Sequence, residues 1–258
     1  MSNTREFTVE SGSCTLFGVE AGAGRAILML HGGMASHAAV WPLVAPLTST
    51  GRVIAPDVRG NGRSRWAGDL SFDQLADDVV AVLDHLGLPR AIVGGVSGGS
   101  GVALRTALRH PDRLDALVLV QPVYAGGERG LTEHQRTAFS GLDALASRAP
   151  VEGVAVLRPL YAALPEPMRT RALTMLETLD AASLAATSRF LASGAQPFES
   201  MAELRRLAVP TLIIDGDDPM HPAAVAAMYA AEIPVSTSLP AGSAVAEAIA
   251  AFAAGRWG

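Results

Sequence analysis

A serine framed by glycines lies between an apolar run and a helical pattern in the stretch AIVGGVSGGSGVALRTALRHPDRL, residues 91–114. Residues 95–99, GVSGG, fit the pattern G-x-S-x-G directly after a predicted strand. In such a turn the serine sits on strained backbone. Its neighbours at −2 and +2 must be small, because the strand and the helix approach closely there. The pattern predicts that Ser97 is a catalytic nucleophile.

Ser100 is a rival for this role, but the residue two positions after it is Val102 rather than glycine. It also lies inside the predicted helix, so Ser97 is the better candidate. The helix that begins after Ser97 directs its free amides, including that of Gly98, at a developing oxyanion.

A second glycine turn, His31-Gly32-Gly33, follows the apolar run AILML at residues 26–30. Turns of this kind supply a second oxyanion donor from a backbone amide, and glycine lets a substrate carbonyl approach. We expect that donor to be the amide of Gly33 or Met34. His31 is expected to line the pocket and to hold this loop by hydrogen bonds rather than to move a proton.

Short apolar runs alternate with longer helical patterns along most of the chain. The predicted strands are residues 7–10, 14–20, 26–30, 53–55, 91–94, 116–120, 211–215 and 235–239. Between two of them, SFDQLADDVVAVLDHLGLP places its apolar residues on one helical face after a capping serine, Ser71. This alternation predicts an α/β fold with a parallel sheet covered by helices on both faces.

The alternation stops between about residues 123 and 208, where the sequence offers helical patterns and no convincing strand. Ligands bind at the carboxyl ends of the strands in such sheets. We therefore expect residues 123–208 to form a helical cap over that edge. Residues 1–122 and 209–258 would form the core domain.

Four segments, LMLHGGMASHAAVW, VIAPDVRGNGRS, AIVGGVSGG and VPTLIIDGDDPMHP, resemble signature segments of the α/β-hydrolase superfamily. The resemblance covers nearly the whole chain. It implies a mostly parallel eight-stranded sheet flanked by helices, with a helical cap inserted late in the sheet, and a Ser–Asp–His triad in that order. Asp218 matches the position of the acid, with Asp217 as the less favoured candidate. Asp57 and Arg59 match a turn that is mainly structural.

The chain departs from the family pattern at the catalytic histidine. Relatives carry it just after the last strand, but this chain reads STSLPAGSAVAEAIAAFAAGRWG there, and no histidine follows His221. The departure resembles a deletion rather than a single substitution. Ser243 stands near the expected position and cannot act as a general base near neutral pH. Without a base, a serine hydroxyl is a poor nucleophile.

Two of the six histidines could approach Ser97. His37 lies on a loop that lines the pocket in relatives, and His221 lies on the same loop as Asp218. His221 is the preferred relocated base. Because Asp218 is only three residues away, we expect Asp217 or a backbone carbonyl to orient His221 instead.

Composition excludes several classes of function. The chain has 258 residues, 49% of them hydrophobic, and a formal net charge of −5 with no basic block, so nucleic acid and anionic membranes are not expected partners. We see no apolar run of the about 18–20 residues that a membrane span needs, and no secretory signal. The single cysteine, Cys14, has no ligand-spaced neighbours. We expect a cytoplasmic monomer or homodimer with no metal and no cofactor, acting on a small molecule.

Three functions remain open at this point. In the first, the protein hydrolyses esters, lactones or thioesters with a relocated base. In the second, it uses the oxyanion hole for cyclisation, isomerisation, C–C bond cleavage or a lyase reaction on a carbonyl substrate. In the third, it is a catalytically silent binding protein. The apolar cap favours a small or medium apolar substrate, with His37, Tyr124 and Tyr161 joining His31 in the pocket.

Overall fold

The computed structural model describes residues 4–162 and 165–255; residues 163 and 164 of the predicted cap, and the two ends of the predicted core domain, lie outside that part. Within it, eight strands form one sheet. They are β1 (Arg5–Ser11), β2 (Cys14–Ala21), β3 (Arg25–Leu30), β4 (Gly51–Pro56), β5 (Ala91–Val96), β6 (Leu114–Val120), β7 (Thr211–Ile214) and β8 (Ser236–Leu239).

The spatial order of the strands is β1-β2-β4-β3-β5-β6-β7-β8. The β1–β2 and β2–β4 pairs are antiparallel, and every later pair, from β4–β3 to β7–β8, is parallel. The predicted α/β fold with a mostly parallel eight-stranded sheet is confirmed. Because β7 and β8 are parallel neighbours, the loops that leave them emerge at the same edge of the sheet.

Helices flank the sheet, and 3₁₀ turns lie at Ala45–Ser49, Pro111–Arg113 and Val154–Leu157. The helices are α1 (His37–Val44), α2 (Phe72–His85), α3 (Gly98–Arg109), α4 (Glu133–Ala146), α5 (Ala149–Glu152), α6 (Arg158–Tyr161), α7 (Met168–Leu176), α8 (Ala181–Ala192), α9 (Met201–Leu204), α10 (Ala223–Glu232) and α11 (Val245–Ala253).

Alternate residues of the strands pack into two apolar layers, one on each face of the sheet, because successive side chains of a strand point to opposite faces. In β3, Leu28 and Leu30 join a cluster that includes residues of α2, α3 and α10. Ile27 and Met29 join a cluster with residues of α1 and α11. The sheet is therefore buried on both sides, as the near-continuous apolar runs of its central strands require.

Helix α2 begins where the sequence predicts. The side chain of Ser71 accepts a hydrogen bond from the Gln74 amide, and Leu75, Val79 and Val82 are buried along one face. Gln74 does not complete the reciprocal capping contact, since its Oε1 is buried without a hydrogen-bond partner among the described residues.

Between β6 and β7 the described residues form only helices and turns, α4 to α9. Several of them pack around a third apolar cluster, which includes Ala146, Leu157, Leu176 and Leu184 and also takes in Met34 from the loop after β3. Across the described chain, no helix combines the length and the apolar character needed to cross a membrane.

Candidate active site

Ser97 stands at the sharp turn between β5 and α3. Its backbone angles, φ 54° and ψ −121°, lie in a region that residues with side chains rarely adopt. A Cβ added to Gly95 would lie 2.2 Å from the backbone carbon and oxygen of Gly99. Gly95 is therefore required by the close approach of strand and helix. Gly99 is required by the turn after β3, because a Cβ there would lie 2.4 Å from the His31 carbonyl oxygen. The geometry is that of a nucleophile elbow.

Ser100 is engaged elsewhere. Its Oγ donates a hydrogen bond of 2.6 Å to the carbonyl oxygen of Ser97, and the residue is buried. This contact fixes the first turn of α3 and leaves the Ser97 hydroxyl as the one directed towards a histidine.

His221 reaches Ser97 across the carboxyl edge of the sheet. Its Nε2 lies 2.8 Å from Ser97 Oγ. A carboxylate accepts but does not donate, so the contact with Asp218 places the imidazole proton on Nδ1. The Ser97 hydroxyl then donates to Nε2, the arrangement that a general base needs to take the serine proton.

Asp218 is the group that holds the His221 ring. Its Oδ2 accepts from His221 Nδ1 at 2.8 Å, and its Oδ1 lies 3.0 Å from the same nitrogen. The expectation that three residues are too few, and that Asp217 or a backbone carbonyl would orient His221, is wrong. Asp217 is exposed beside the pair.

Asp218 can contact the His221 ring despite the three-residue separation because the chain makes a tight turn at Asp218. Asp218 Oδ1 also accepts from the backbone amides of Met220 at 2.7 Å and His221 at 2.9 Å, and the His221 amide lies 3.0 Å from the Asp218 carbonyl oxygen. Burial alone would raise the pKa of Asp218, but the hydrogen bonds from His221 and Met220 outweigh it and lower the pKa. The carboxylate is therefore charged near neutral pH and can accept from the His221 ring.

The two predicted oxyanion donors, Gly33 and Gly98, lie close together beside the serine. A Cβ added to Gly98 would lie 3.2 Å from the Gly33 nitrogen, so the two predicted donor residues approach each other. The Gly98 amide opens α3, where the first amides have no partner within the helix. Met34 has a positive φ of 56°, and its side chain packs into the third apolar cluster.

His31 is buried beneath the glycine turn and holds it in place. Its Nδ1 donates to the Gly32 carbonyl oxygen at 2.6 Å, and its Nε2 accepts from the Val58 amide at 3.0 Å. Burial lowers the pKa of His31, which favours the neutral ring that these two contacts need.

His37 faces Asp57 rather than Ser97. Its backbone amide and its Nδ1 both lie within 2.8 Å of Asp57 Oδ1, and its ring packs against Phe17. Asp57 is buried and also accepts from the Arg63 amide at 2.8 Å. This matches the structural role expected for the Asp57 turn.

A small cavity of about 40 Å³, partly open to solvent, lies against the elbow. The glycine turn and Gly98 line one part of it. Apolar side chains from the core and from the helical segment line the rest, among them Val58, Leu70, Phe72, Tyr124, Phe190 and Leu191. Tyr161 packs instead beside the third apolar cluster.

The loop between β4 and α2 contributes to the cavity more than the sequence indicated. Val58, Arg59 and Asn61 all line it. The Arg59 guanidinium is paired with Asp78, its Nε 2.8 Å from Asp78 Oδ2, and Nη2 also donates to the Ser11 carbonyl oxygen. The resemblance marked this turn as structural, and nothing in its residue types indicated that it also faces the cavity.

After β8 the chain makes a surface turn. Ser243 Oγ donates to the Pro240 carbonyl oxygen at 2.7 Å, so the residue near the usual histidine position caps this turn. In the described part of the chain, no group of three or more His, Cys, Asp or Glu residues is placed to hold a metal ion.

Comparison with known proteins identifies the family. A model of the family described as alpha/beta hydrolase fold matches residues 25–239. The chain therefore belongs to this family.

Curated relatives match over a shorter stretch. The protein is 44% identical over 102 residues to RutD of Caulobacter segnis, provisionally named a carbamate hydrolase. It is 42% identical over 107 residues to a 2-hydroxymuconate semialdehyde hydrolase of Pseudomonas sp. strain CF600, and 35% identical over 99 residues to the lipase LipV of Mycobacterium tuberculosis. The matches span 38% of each relative's length and 38% or 39% of this chain.

Solved structures match over nearly the full length. A thermophilic esterase from Thermogutta terrifontis superposes with a TM-score of 0.76 at 23% identity, covering 98% of this chain and 97% of the esterase. A hydrolase from Pseudomonas aeruginosa gives 0.78 at 24% identity, with 97% and 98% covered. At these identities the likeness shows the fold.

Proposed function

We propose that the protein is a serine hydrolase that cleaves an ester, lactone or thioester of a small or medium apolar compound. Ser97 is the nucleophile, His221 the general base, and Asp218 the carboxylate that orients the base. The observation that carries this proposal is the continuous chain of hydrogen bonds from Asp218 to Ser97, with a 2.8 Å contact on each side of the His221 ring.

The relocated base is consistent with the topology of the sheet. In relatives the histidine follows the last strand, and here it follows the neighbouring strand β7. Both loops leave the same edge of the sheet, so a histidine on either loop can face the elbow. The shortened loop after β8 is then no obstacle to catalysis.

The proposed reaction proceeds through an acyl-enzyme. Ser97 Oγ attacks the substrate carbonyl carbon while its proton passes to His221 Nε2, and the amides of Gly33 and Gly98 stabilise the oxyanion. His221 then gives that proton to the leaving alcohol or thiol. A water molecule attacks the acyl-enzyme with His221 again as base, which releases the acid and returns the proton to Ser97.

The same hydrogen-bond chain favours hydrolysis over the two alternatives. A cyclase, isomerase or lyase can use the oxyanion hole and the shape of the pocket without a serine nucleophile. A silent binding protein needs none of the three side chains. An orienting carboxylate and an imidazole directed at the hydroxyl are what nucleophilic attack by a serine requires.

We further propose that residues 123–208 act as the cap of this site. Tyr124, Phe190 and Leu191 come from this segment and line the cavity beside the elbow. Their apolar character suits the acyl or alkyl part of a substrate, which gains by leaving water.

Hydrolysis of p-nitrophenyl esters of increasing acyl length tests the proposal. We expect turnover of the shorter esters by the wild type and only background turnover by Ser97→Ala. Ser243→Ala, the same change in the surface turn after β8, is the matched control and should retain full activity. A folded wild type that hydrolyses none of the esters, or a Ser97→Ala variant that is as active as the wild type, would contradict the proposal.

A further inference from the structure

Gln135 links the first helix after β6 to the loop that carries the acid and the base. It lies in the first turn of α4 and is 1% exposed. Its Nε2 donates to the Met220 carbonyl oxygen at 2.9 Å and to the Val123 carbonyl oxygen at 3.0 Å. Both hydrogens of the carboxamide therefore hold backbone outside α4.

The Met220 carbonyl belongs to the peptide group that directly precedes His221. That group is planar, so its oxygen and the His221 N–H are fixed relative to each other. Gln135 holds the oxygen end. Asp218 holds the N–H end through Oδ1 at 2.9 Å and through its carbonyl oxygen at 3.0 Å. The Met220–His221 peptide group, which sets the direction of the His221 side chain, is thus held by hydrogen bonds at both its oxygen and its N–H.

The second end of the carboxamide makes a separate contact. Gln135 Oε1 accepts from the Thr132 amide at 2.9 Å, and Thr132 Oγ1 accepts from the Gln135 amide at 3.2 Å. This reciprocal pair is a capping box, and it stabilises the start of α4 without touching the His221 loop. One side chain therefore makes two contributions that substitutions can separate.

We propose that Gln135 is a positioning residue for the proposed reaction: its carboxamide fixes the Met220–His221 peptide and so keeps His221 Nε2 in reach of Ser97. This inference rests on the proposed function. A displacement of about 1 Å at a reacting group can cost on the order of 10²-fold in rate. Loss of this contact should therefore lower kcat while substrate binding changes little.

The test compares Gln135→Leu with Thr132→Val. Gln135→Leu removes the hydrogen bonds to Met220 and Val123, and also the hydrogen bond that Gln135 Oε1 accepts from the Thr132 amide. Thr132→Val removes only the hydrogen bond that Thr132 Oγ1 accepts from the Gln135 amide. The rate of covalent labelling by a fluorophosphonate probe and the kcat and KM for a p-nitrophenyl ester are measured for both variants and for the wild type. Thermal unfolding and circular dichroism report how far each variant is folded.

We expect labelling and kcat to fall at least about tenfold in Gln135→Leu, with KM within about twofold of the wild type. The labelling rate and kcat of Thr132→Val should stay within about twofold of the wild-type values. Gln135→Met keeps the length of the side chain, cannot donate to Met220 and places no charge among the buried carbonyl oxygens. It should show the same fall, and it covers the case in which the leucine variant does not fold. Hydrogen exchange in residues 215–222 should be faster in the Gln135 variants only.

Unchanged labelling and kcat in the folded Gln135 variants would overturn the inference. So would an equal fall in Thr132→Val, because the effect would then belong to the helix cap. A wild type that the probe does not label would overturn the proposed function itself, which is a distinguishable result.

Discussion

Asp218 and His221 lie three residues apart on one turn and are joined side chain to side chain, with Oδ2 and Nδ1 2.8 Å apart. The same carboxylate accepts from the backbone amides of Met220 and His221. The two side chains are thus placed relative to each other by local chain geometry, and only Ser97 comes from a distant part of the sequence. In the resemblance that the sequence suggested, all three residues come from separate loops.

Asp218→Asn should lower kcat by about 10³–10⁴-fold, because the asparagine can no longer fix the Nδ1-protonated tautomer or stabilise an imidazolium. Asp217→Asn is the matched control, since Asp217 is exposed on the same loop. Steady-state kinetics on a p-nitrophenyl ester measure both. Equal activity of the two variants would mean that Asp218 does not orient the base.

His221→Ala and His37→Ala should separate catalysis from stability. His221→Ala removes the base and should reduce kcat by orders of magnitude with a small change in the free energy of unfolding. His37→Ala should retain most of kcat but lower the free energy of unfolding, because buried Asp57 loses the ring that contacts it at 2.8 Å. Kinetics and urea unfolding measure the two effects. Near-wild-type turnover in His221→Ala would exclude a relocated base.

Stability should depend on pH through Asp57. Burial raises the pKa of this carboxyl, but the hydrogen bonds from His37 and the Arg63 amide outweigh it and lower the pKa below its ordinary value. A carboxyl with a lowered pKa in the folded state stabilises the fold above its ordinary pKa of about 3.9, and this contribution is lost as the pH falls through the folded value. The difference in the free energy of unfolding between the wild type and Asp57→Asn should be largest near neutral pH and should shrink as the pH falls. Urea midpoints between pH 7 and pH 3 measure it, and a gap that is constant with pH would contradict the assignment.

Gly95→Ala should destabilise the protein, by about 3 kcal/mol, because the new Cβ meets Gly99 backbone at 2.2 Å. Gly141→Ala is the control: it lies in α4, and a Cβ there meets nothing within 4 Å. Its helix propensity should raise the free energy of unfolding by up to about 1 kcal/mol. Equal effects of the two changes would show that strand and helix do not approach as closely as the elbow requires.

The sequence predicted the sheet well because its signals are local. Apolar runs such as AILML and AIVGGV mark the buried strands, and Ser71 and the apolar stripe after it mark α2. The strained Ser97 turn was predictable for the same reason, since G-x-S-x-G records a steric requirement within five residues.

The site was only partly predictable. His221 was a candidate because it shares a loop with Asp218. Its contact with Asp218 depends on the hydrogen bonds of a tight turn, and the residue types do not predict that turn. Thr132 and Gln135 have capping-box spacing, and this predicts a helix start. The second use of the Gln135 carboxamide depends on where β7 places Met220, some 85 residues away. No pattern in the sequence carries that information.

We propose that His221, on the loop after β7, activates Ser97. Labelling of the protein by a fluorophosphonate, followed by mass spectrometry of the peptide that contains Ser97, tests it most directly. We expect a single adduct on Ser97 in the wild type, and labelling slower by at least about 100-fold in folded His221→Gln. The absence of an adduct in the wild type, or labelling of His221→Gln at the wild-type rate, would contradict it.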